Sequence, residues 1–164
     1  MTEDKFWELI EQHVDVDDGF EVDTSGLQEA LEALPPEDII SFDTVFTKLY
    51  CASYAWPLWG AAYLVNGGCS DDGFDYFRGW LIAQGRAIFE RAVQDPDSLA
   101  DHSAEDVECE GMLYVATRAY EAATGRDIPD RSYAYPDLGD GWDFDDQAEM
   151  KRRYPRLFAR YCEQ

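Results

Sequence analysis

The chain has 164 residues, of which 46% are hydrophobic and 15% aromatic, and its 35 acidic against 13 basic residues give a formal net charge of −22. This length predicts a single domain over 1–164, and the hydrophobic content excludes a disordered polyanion. The charge disfavours direct binding to nucleic acid or to an anionic membrane and favours basic partners. A solvated acidic surface with no dedicated partner is the alternative explanation.

The cysteines and the N-terminus indicate the compartment. Cys51, Cys69, Cys109 and Cys162 are far apart and form no CxxC pair. The segment 1–15 lacks a basic region followed by an apolar run, and no apolar stretch approaches the ~18 residues that a membrane span requires. We therefore expect a cytoplasmic protein with free thiols and no membrane-spanning helix.

Helical spacing of apolar residues begins at the N-terminus, where Thr2 is suited to cap a first helix. The run 15–23 holds five acids in nine residues and is interpreted as an acidic connection. Ser25 and Gln28 then form a capping-box signature for a second helix. Pro35 and Pro36 predict the end of that helix and the first turn of a third.

The middle of the chain predicts a central buried helix, because 58–65 is apolar on nearly all sides. Asn66, Gly67 and Gly68 are suited to end it, since these residues tolerate a positive φ. Ser70 is a candidate N-cap for the next helix. Gly79 and Gly85 are expected to bend or divide that helix.

In the C-terminal half, periodicity predicts a helix over 105–124 and two short helices within the last 20 residues. The segment 126–142 has no periodicity and is the longest predicted loop, of the kind that covers a surface. The basic segment 147–164 is expected to dock on an acidic neighbour within the fold. With no convincing strand, the sequence predicts an all-α, compact orthogonal bundle of about seven to nine helices.

The usual catalytic and metal-binding motifs are not matched. A calcium loop starting at Asp15 fails, because its twelfth position is Gly26 rather than Glu. Only His13 and His102 are available as histidine ligands, without zinc-site spacing. Ser70 does not complete a G-x-S-x-G elbow. We therefore predict no cofactor, metal or catalytic residue, and an enzymatic role stays open but disfavoured.

The first functional interpretation is an acidic interaction module. Carboxylates displayed on a rigid helical scaffold can imitate DNA phosphates and bind a basic or nucleic-acid-binding protein. This hypothesis predicts binding that weakens as salt rises. The expected acidic face consists of Asp15, Asp17, Asp18, Glu21, Asp23, Asp95, Asp97, Asp101, Asp143, Asp145 and Asp146.

The second interpretation is a small-ligand or enzyme site at the turn 67–74. A helix N-terminus there offers unpaired N–H groups, and nearby side chains can add hydrogen-bond donors and an apolar wall. In the alternative interpretation, the same side chains only stabilise the fold. The candidate residues are Ser70, Asp71, Asp72, Arg78, Trp80, Gln84 and Arg86.

Several motifs resemble a bacterial family of unknown function, DUF4240. They are Leu58-Trp59-Gly60-Ala61-Ala62-Tyr63, Gly67-Gly68-Cys69-Ser70-Asp71-Asp72-Gly73-Phe74, Phe77-Arg78-Gly79-Trp80-Leu81-Ile82 and Arg153-Tyr154-Pro155-Arg156-Leu157. The resemblance implies an intracellular bacterial protein and supplies no activity. Asn66-Gly67-Gly68 followed by a Phe-rich helix is also similar to a group of small helical proteins that includes a DNA mimic, although Cys69 to Asp72 depart from that pattern.

Overall fold

The computed structural model describes residues 1–17, 21–102 and 105–163, and the chain is 65% helical. The compact, mostly α fold predicted from periodicity is confirmed. Within the described residues, nine α-helices and one 3₁₀ helix (Pro96–Asp101) surround a shared core. The α-helices are α1 (Glu3–His13), α2 (Ser25–Glu32), α3 (Pro36–Ala52), α4 (Trp56–Val65), α5 (Asp71–Ala83), α6 (Arg86–Gln94), α7 (Gly111–Thr124), α8 (Gln147–Arg153) and α9 (Pro155–Tyr161).

The acidic run after α1 contains a β-hairpin, which corrects the expectation of a connection without strands. Strand β1 (Asp15–Asp17) pairs antiparallel with β2 (Glu21–Asp23), with Val16 opposite Val22. The two valines are partly buried, and Val22 packs against the core, while the acids alternate to solvent. Each strand is three residues long, which is too short for a two-residue alternation to stand out in the sequence.

Two of the predicted helix caps are confirmed and one is wrong. The Thr2 hydroxyl accepts from the Lys5 N–H at 3.2 Å, and the Ser70 hydroxyl accepts from the Gly73 N–H at 3.2 Å. The capping box at Ser25 does not form, because Ser25 is already the first residue of α2. Its N–H instead donates to Asp23 Oδ1 at 2.8 Å.

The helix expected over 105–124 begins only at Gly111. Asn66 holds part of the preceding segment in place, because its side chain accepts from the Val107 N–H at 2.9 Å and donates to the Val107 carbonyl at 3.1 Å. Gly79 lies inside α5 without breaking it. A Cβ there would stand 2.6 Å from the Cys109 carbonyl oxygen, so this glycine permits the close approach of the segment leading into α7. Gly85, with φ of 90°, separates α5 from α6.

Helix α9 packs on α4 and the 3₁₀ helix, and α8 packs on α9. Both carboxylate oxygens of Asp97 accept backbone N–H groups at the start of α9, from Arg156 at 3.1 Å and Leu157 at 2.9 Å. The Arg156 side chain pairs with Asp101. The basic C-terminal segment therefore docks on acidic residues of the fold, as its charge predicted. The loop 126–142 has no regular secondary structure.

Candidate functional site

The turn before α5 is built mainly from helix-capping interactions. Ser70 caps α5, and Asp71 and Asp72 lie exposed in the first turn of that helix. The Trp59 indole donates to the Cys69 carbonyl at 3.0 Å, and burial raises the pKa of the Cys69 thiol to about 11, which leaves it a poor nucleophile. A cavity of about 300 Å³ lies beside the turn. It is lined by Asn66, Gly68, Cys69, Ser70, Gly73, Asp106 and Glu108.

The other four residues predicted for this turn make their contacts elsewhere in the fold. Arg78 is fully buried, and Trp80 is 2% exposed. The Gln84 amide donates to the Trp80 carbonyl of its own helix at 3.3 Å. Arg86 pairs at the surface with Asp4 and Glu90. The structure therefore does not bring these side chains together around Ser70.

The residues predicted for the acidic face have different environments. Asp97 is 8% exposed and accepts a hydrogen bond from the backbone at the start of α9, so it is not on the surface. Asp101 is exposed but pairs with Arg91 and Arg156. Asp95 is exposed at the end of α6. Asp18 lies outside the described residues.

The three acids near the start of α8 are exposed and also make local contacts. Asp143 accepts from the Asp145 N–H at 2.9 Å, and Asp145 accepts from the Tyr63 hydroxyl at 2.5 Å. Asp146 caps α8 by accepting from the backbone N–H groups of Ala148 and Glu149. These carboxylates order the approach to α8 while facing solvent.

The remaining predicted acids form what we call the hairpin acids: Asp15, Asp17, Glu21 and Asp23. All four are exposed, and the strand register places Asp15 opposite Asp23 and Asp17 opposite Glu21. The Ser25 hydrogen bond lowers the pKa of Asp23. Within the described residues, no ion pair involves any of the four. The hairpin thus presents uncompensated negative charge.

One opening in the structure was not expected from the sequence. A cleft of about 410 Å³ lies between α3 and the start of the 126–142 loop. We call it the α3 cleft. Its lining residues are Ile40, Asp43, Thr44, Thr47, Lys48, Cys51, Pro129, Asp130, Arg131, Ser132, Tyr133 and Ala134.

A buried carboxylate lies in the wall of the α3 cleft. Asp43 is 3% exposed, and its Oδ2 contacts Arg131 Nε at 2.8 Å. Arg131 also donates from Nη1 to the Thr47 hydroxyl at 3.0 Å. Burial raises the pKa of Asp43 to about 6, and the Arg131 charge offsets only part of that rise. The loop therefore supplies the cation that accompanies a strongly desolvated acid on α3.

The same loop also covers a second buried charge. Arg78 donates from Nη1 to the Tyr50 carbonyl at 2.7 Å and pairs through Nη2 with Asp75. Its guanidinium carbon lies 3.8 Å from the ring centre of Tyr50 and 5.3 Å from that of Tyr135 on the loop. The Arg78 Nε is buried and has no hydrogen-bond partner among the described residues. We call Arg78 and these partners the Arg78 cluster.

Among the described residues, no group of three or more His, Cys, Asp or Glu side chains is arranged to hold a metal ion. No helix in the same residues combines the length and apolarity needed to cross a bilayer.

Comparison with known proteins places the chain in a family. Residues 1–122 match the family described as proteins of unknown function, DUF4240. The chain belongs to that family. No curated protein and no solved structure matches it. The DUF4240 segment contains Asp43 and the α5 side of the Arg78 cluster, whereas Arg131 and Tyr135 lie beyond the matched residues.

Proposed function

We propose that this DUF4240 protein is an acidic interaction module that binds a basic protein through the hairpin acids. The proposal rests on one observation, the uncompensated and directly opposed carboxylates of the hairpin. Like charges directly opposite each other in a strand pair destabilise the pair. Binding of a basic partner relieves that repulsion, so the loss of stability is offset only in the complex.

The distribution of the cations supports this proposal. Among the described residues, at least ten of the thirteen basic residues form ion pairs, so most of the positive charge is already engaged within the fold. The field around the protein is therefore strongly negative. It accelerates encounter with a basic partner and repels nucleic acid. Four free thiols suit a reducing cytoplasm, which we propose as the location.

Imitation of DNA is the finer form of the proposal. It would require the partner's nucleic-acid-binding surface to be the surface that contacts the hairpin acids. Competition distinguishes the two forms, because duplex DNA displaces a DNA mimic from its target but leaves a partner bound through another basic surface in place.

The test compares two triple variants that remove the same charge. D15N/D17N/E21Q neutralises three hairpin acids and leaves Asp23 to accept from Ser25. E121Q/D127N/D140N neutralises three exposed acids elsewhere. Immobilised wild type and both variants are exposed to a bacterial lysate at low and high salt, with and without duplex DNA, and the retained proteins are identified by mass spectrometry.

We expect a basic protein that wild type and the E121Q/D127N/D140N variant retain, and that both the hairpin variant and high salt release. The hairpin variant should also be more stable than wild type in urea, because the directly opposed charges are gone. Equal retention by the two triple variants would show that net charge, rather than the hairpin, holds the partner. Retention that is insensitive to salt would contradict the proposal as a whole.

A further inference from the structure

The α3 cleft combines charges of both signs on a protein that is otherwise strongly acidic. Two acids, Asp43 and Asp130, and two bases, Lys48 and Arg131, line it. Its volume of about 410 Å³ lies near the lower end of the ~300–1,000 Å³ typical of small-molecule sites. The cleft is thus balanced in charge and large enough for a small ligand.

The buried carboxylate in this cleft is sparsely partnered. The Nε of Arg131 contacts Oδ2 of Asp43, and no hydrogen-bond donor from elsewhere in the described residues reaches the carboxylate. A buried ionised group is costly unless it is both paired and hydrogen-bonded. Asp43 therefore retains acceptor capacity that a cationic group entering the cleft can use.

Arg131 has hydrogen-bond donors that no acceptor in the described residues uses. Its Nε contacts Asp43 and its Nη1 bonds Thr47, while Nη2 contacts no acceptor in the described part of the chain. A guanidinium presents five N–H donors and suits a carboxylate. A ligand with only an ammonium group would be repelled by the positive charge of Arg131. A ligand with only a carboxylate would be repelled by the negative charge of Asp43.

We propose that the α3 cleft binds a free zwitterionic α-amino acid, with its ammonium group on Asp43 and its carboxylate on Arg131. The ligand's own opposite charges match the pair, and its zero net charge avoids repulsion by the acidic surface. Ile40, Pro129, Tyr133 and Ala134 supply an apolar wall, which favours an apolar side chain on the ligand. This site is separate from the hairpin acids and does not depend on the interaction proposed for them.

The experiment uses L-leucine and two analogues that each lack one charged group, isopentylamine and 4-methylpentanoate. Binding to the full chain is measured by isothermal titration calorimetry. We expect leucine to bind and each analogue to bind at least about tenfold more weakly, because each loses one charge-assisted contact. An analogue that binds as tightly as leucine would overturn the zwitterion assignment, and so would the absence of leucine binding at millimolar concentration.

Variants locate the binding. Asp43→Asn removes the ammonium partner and should weaken leucine binding at least about tenfold. Ala134→Phe fills the cleft from an exposed loop position, which a folded chain tolerates, and should also abolish binding. Asp4→Asn removes the same charge from a surface ion pair and should bind like wild type. Wild-type affinity in both cleft variants would place the ligand elsewhere and overturn the proposal.

Thiol protection supplies a second readout. Cys51 lines the α3 cleft, whereas Cys162 is exposed near the C-terminus. Saturating leucine should slow alkylation of Cys51 by iodoacetamide while leaving Cys162 unchanged, as read by mass spectrometry of the peptides. Equal protection of both thiols, or of neither, would contradict binding in the cleft. The D15N/D17N/E21Q variant should still bind leucine, so failure of the interaction module and failure of this site are distinguishable.

Discussion

Two buried charges lie under the same loop, and they are held in opposite ways. Arg78 on α5 is fully enclosed by a backbone carbonyl, a carboxylate and aromatic rings. Asp43 on α3 is nearly as buried, yet its contact is a single arginine on the loop. The first charge is fixed by many partners from the helices. The second depends on one partner from a segment without regular structure.

This difference separates a structural charge from one available to a ligand. A buried ion that several partners surround, as they surround Arg78 at every donor but its Nε, loses much when those partners are removed. A buried ion with a single partner gains from an additional counter-charge. We therefore interpret the Arg78 cluster as part of the fold, and the Asp43–Arg131 pair as the part of the α3 cleft that a ligand can contact.

The largest effect is expected from a substitution of Arg78, the buried charge that we interpret as part of the fold. Arg78→Leu removes one of the two donors to the Tyr50 carbonyl, which still accepts from Ser53 Oγ at 2.8 Å, and it takes the cation away from Asp75 and the surrounding rings. We expect the free energy of unfolding to fall by about 2–4 kcal/mol, as measured in urea by tryptophan fluorescence. Arg86→Leu serves as the control at a partly exposed arginine and should cost much less than Arg78→Leu, because surface ion pairs add little to stability. Similar losses in the two variants would show that the cluster is not a stabilising centre.

The second-largest effect concerns Asp43. It tests whether the buried charge of this side chain lowers the stability of the protein. Its pKa is raised from 3.8 to about 6, so the native state binds a proton more tightly than the unfolded chain does. The ionised carboxylate therefore lowers stability above pH ~6, and this cost disappears as the pH falls below ~4. At about 1.36 kcal/mol per pKa unit, Asp43→Asn should be roughly 2–3 kcal/mol more stable than wild type at neutral pH.

The pH dependence of that difference is the decisive part of the measurement. Urea unfolding of wild type and Asp43→Asn is compared from neutral to acidic pH, and the advantage of the variant should shrink toward zero near pH ~4. Asp101→Asn gives a control of opposite sign, because Arg156 lowers the pKa of Asp101. Its difference from wild type should favour wild type at neutral pH. An Asp43→Asn advantage that is constant with pH would show that burial of the charge is not its cause.

The sequence predicted several helix ends that depend only on neighbouring residues, but it missed the short hairpin at 15–23 and predicted a capping box at Ser25 that does not form. The caps at Thr2 and Ser70 and the end of α4 at Asn66 all follow from spacing within one or two turns. The α3 cleft was missed because its pair joins residues far apart, and Asp43 is one of 35 acids with nothing local to distinguish it. Arg78 was recognised as notable but interpreted as a donor at the turn, since burial under Tyr50 and Tyr135 is a tertiary property.

The smallest effect is expected from a substitution of Tyr135, the loop residue that contacts Arg78. It tests whether the loop contributes as little to holding Arg78 as we infer. Tyr135 is 39% exposed, and its hydroxyl lies 3.4 Å from Arg78 Nη2 while its ring packs 4.3 Å from that of Tyr54. Tyr135→Phe keeps the ring and removes this weak hydrogen bond, so we expect a loss of about 0.5 kcal/mol or less in urea unfolding. Hydrogen exchange of the helices should be unchanged. A loss approaching that of Arg78→Leu would mean that the loop fixes Arg78 as firmly as it holds Asp43, and the two charges would no longer differ in kind.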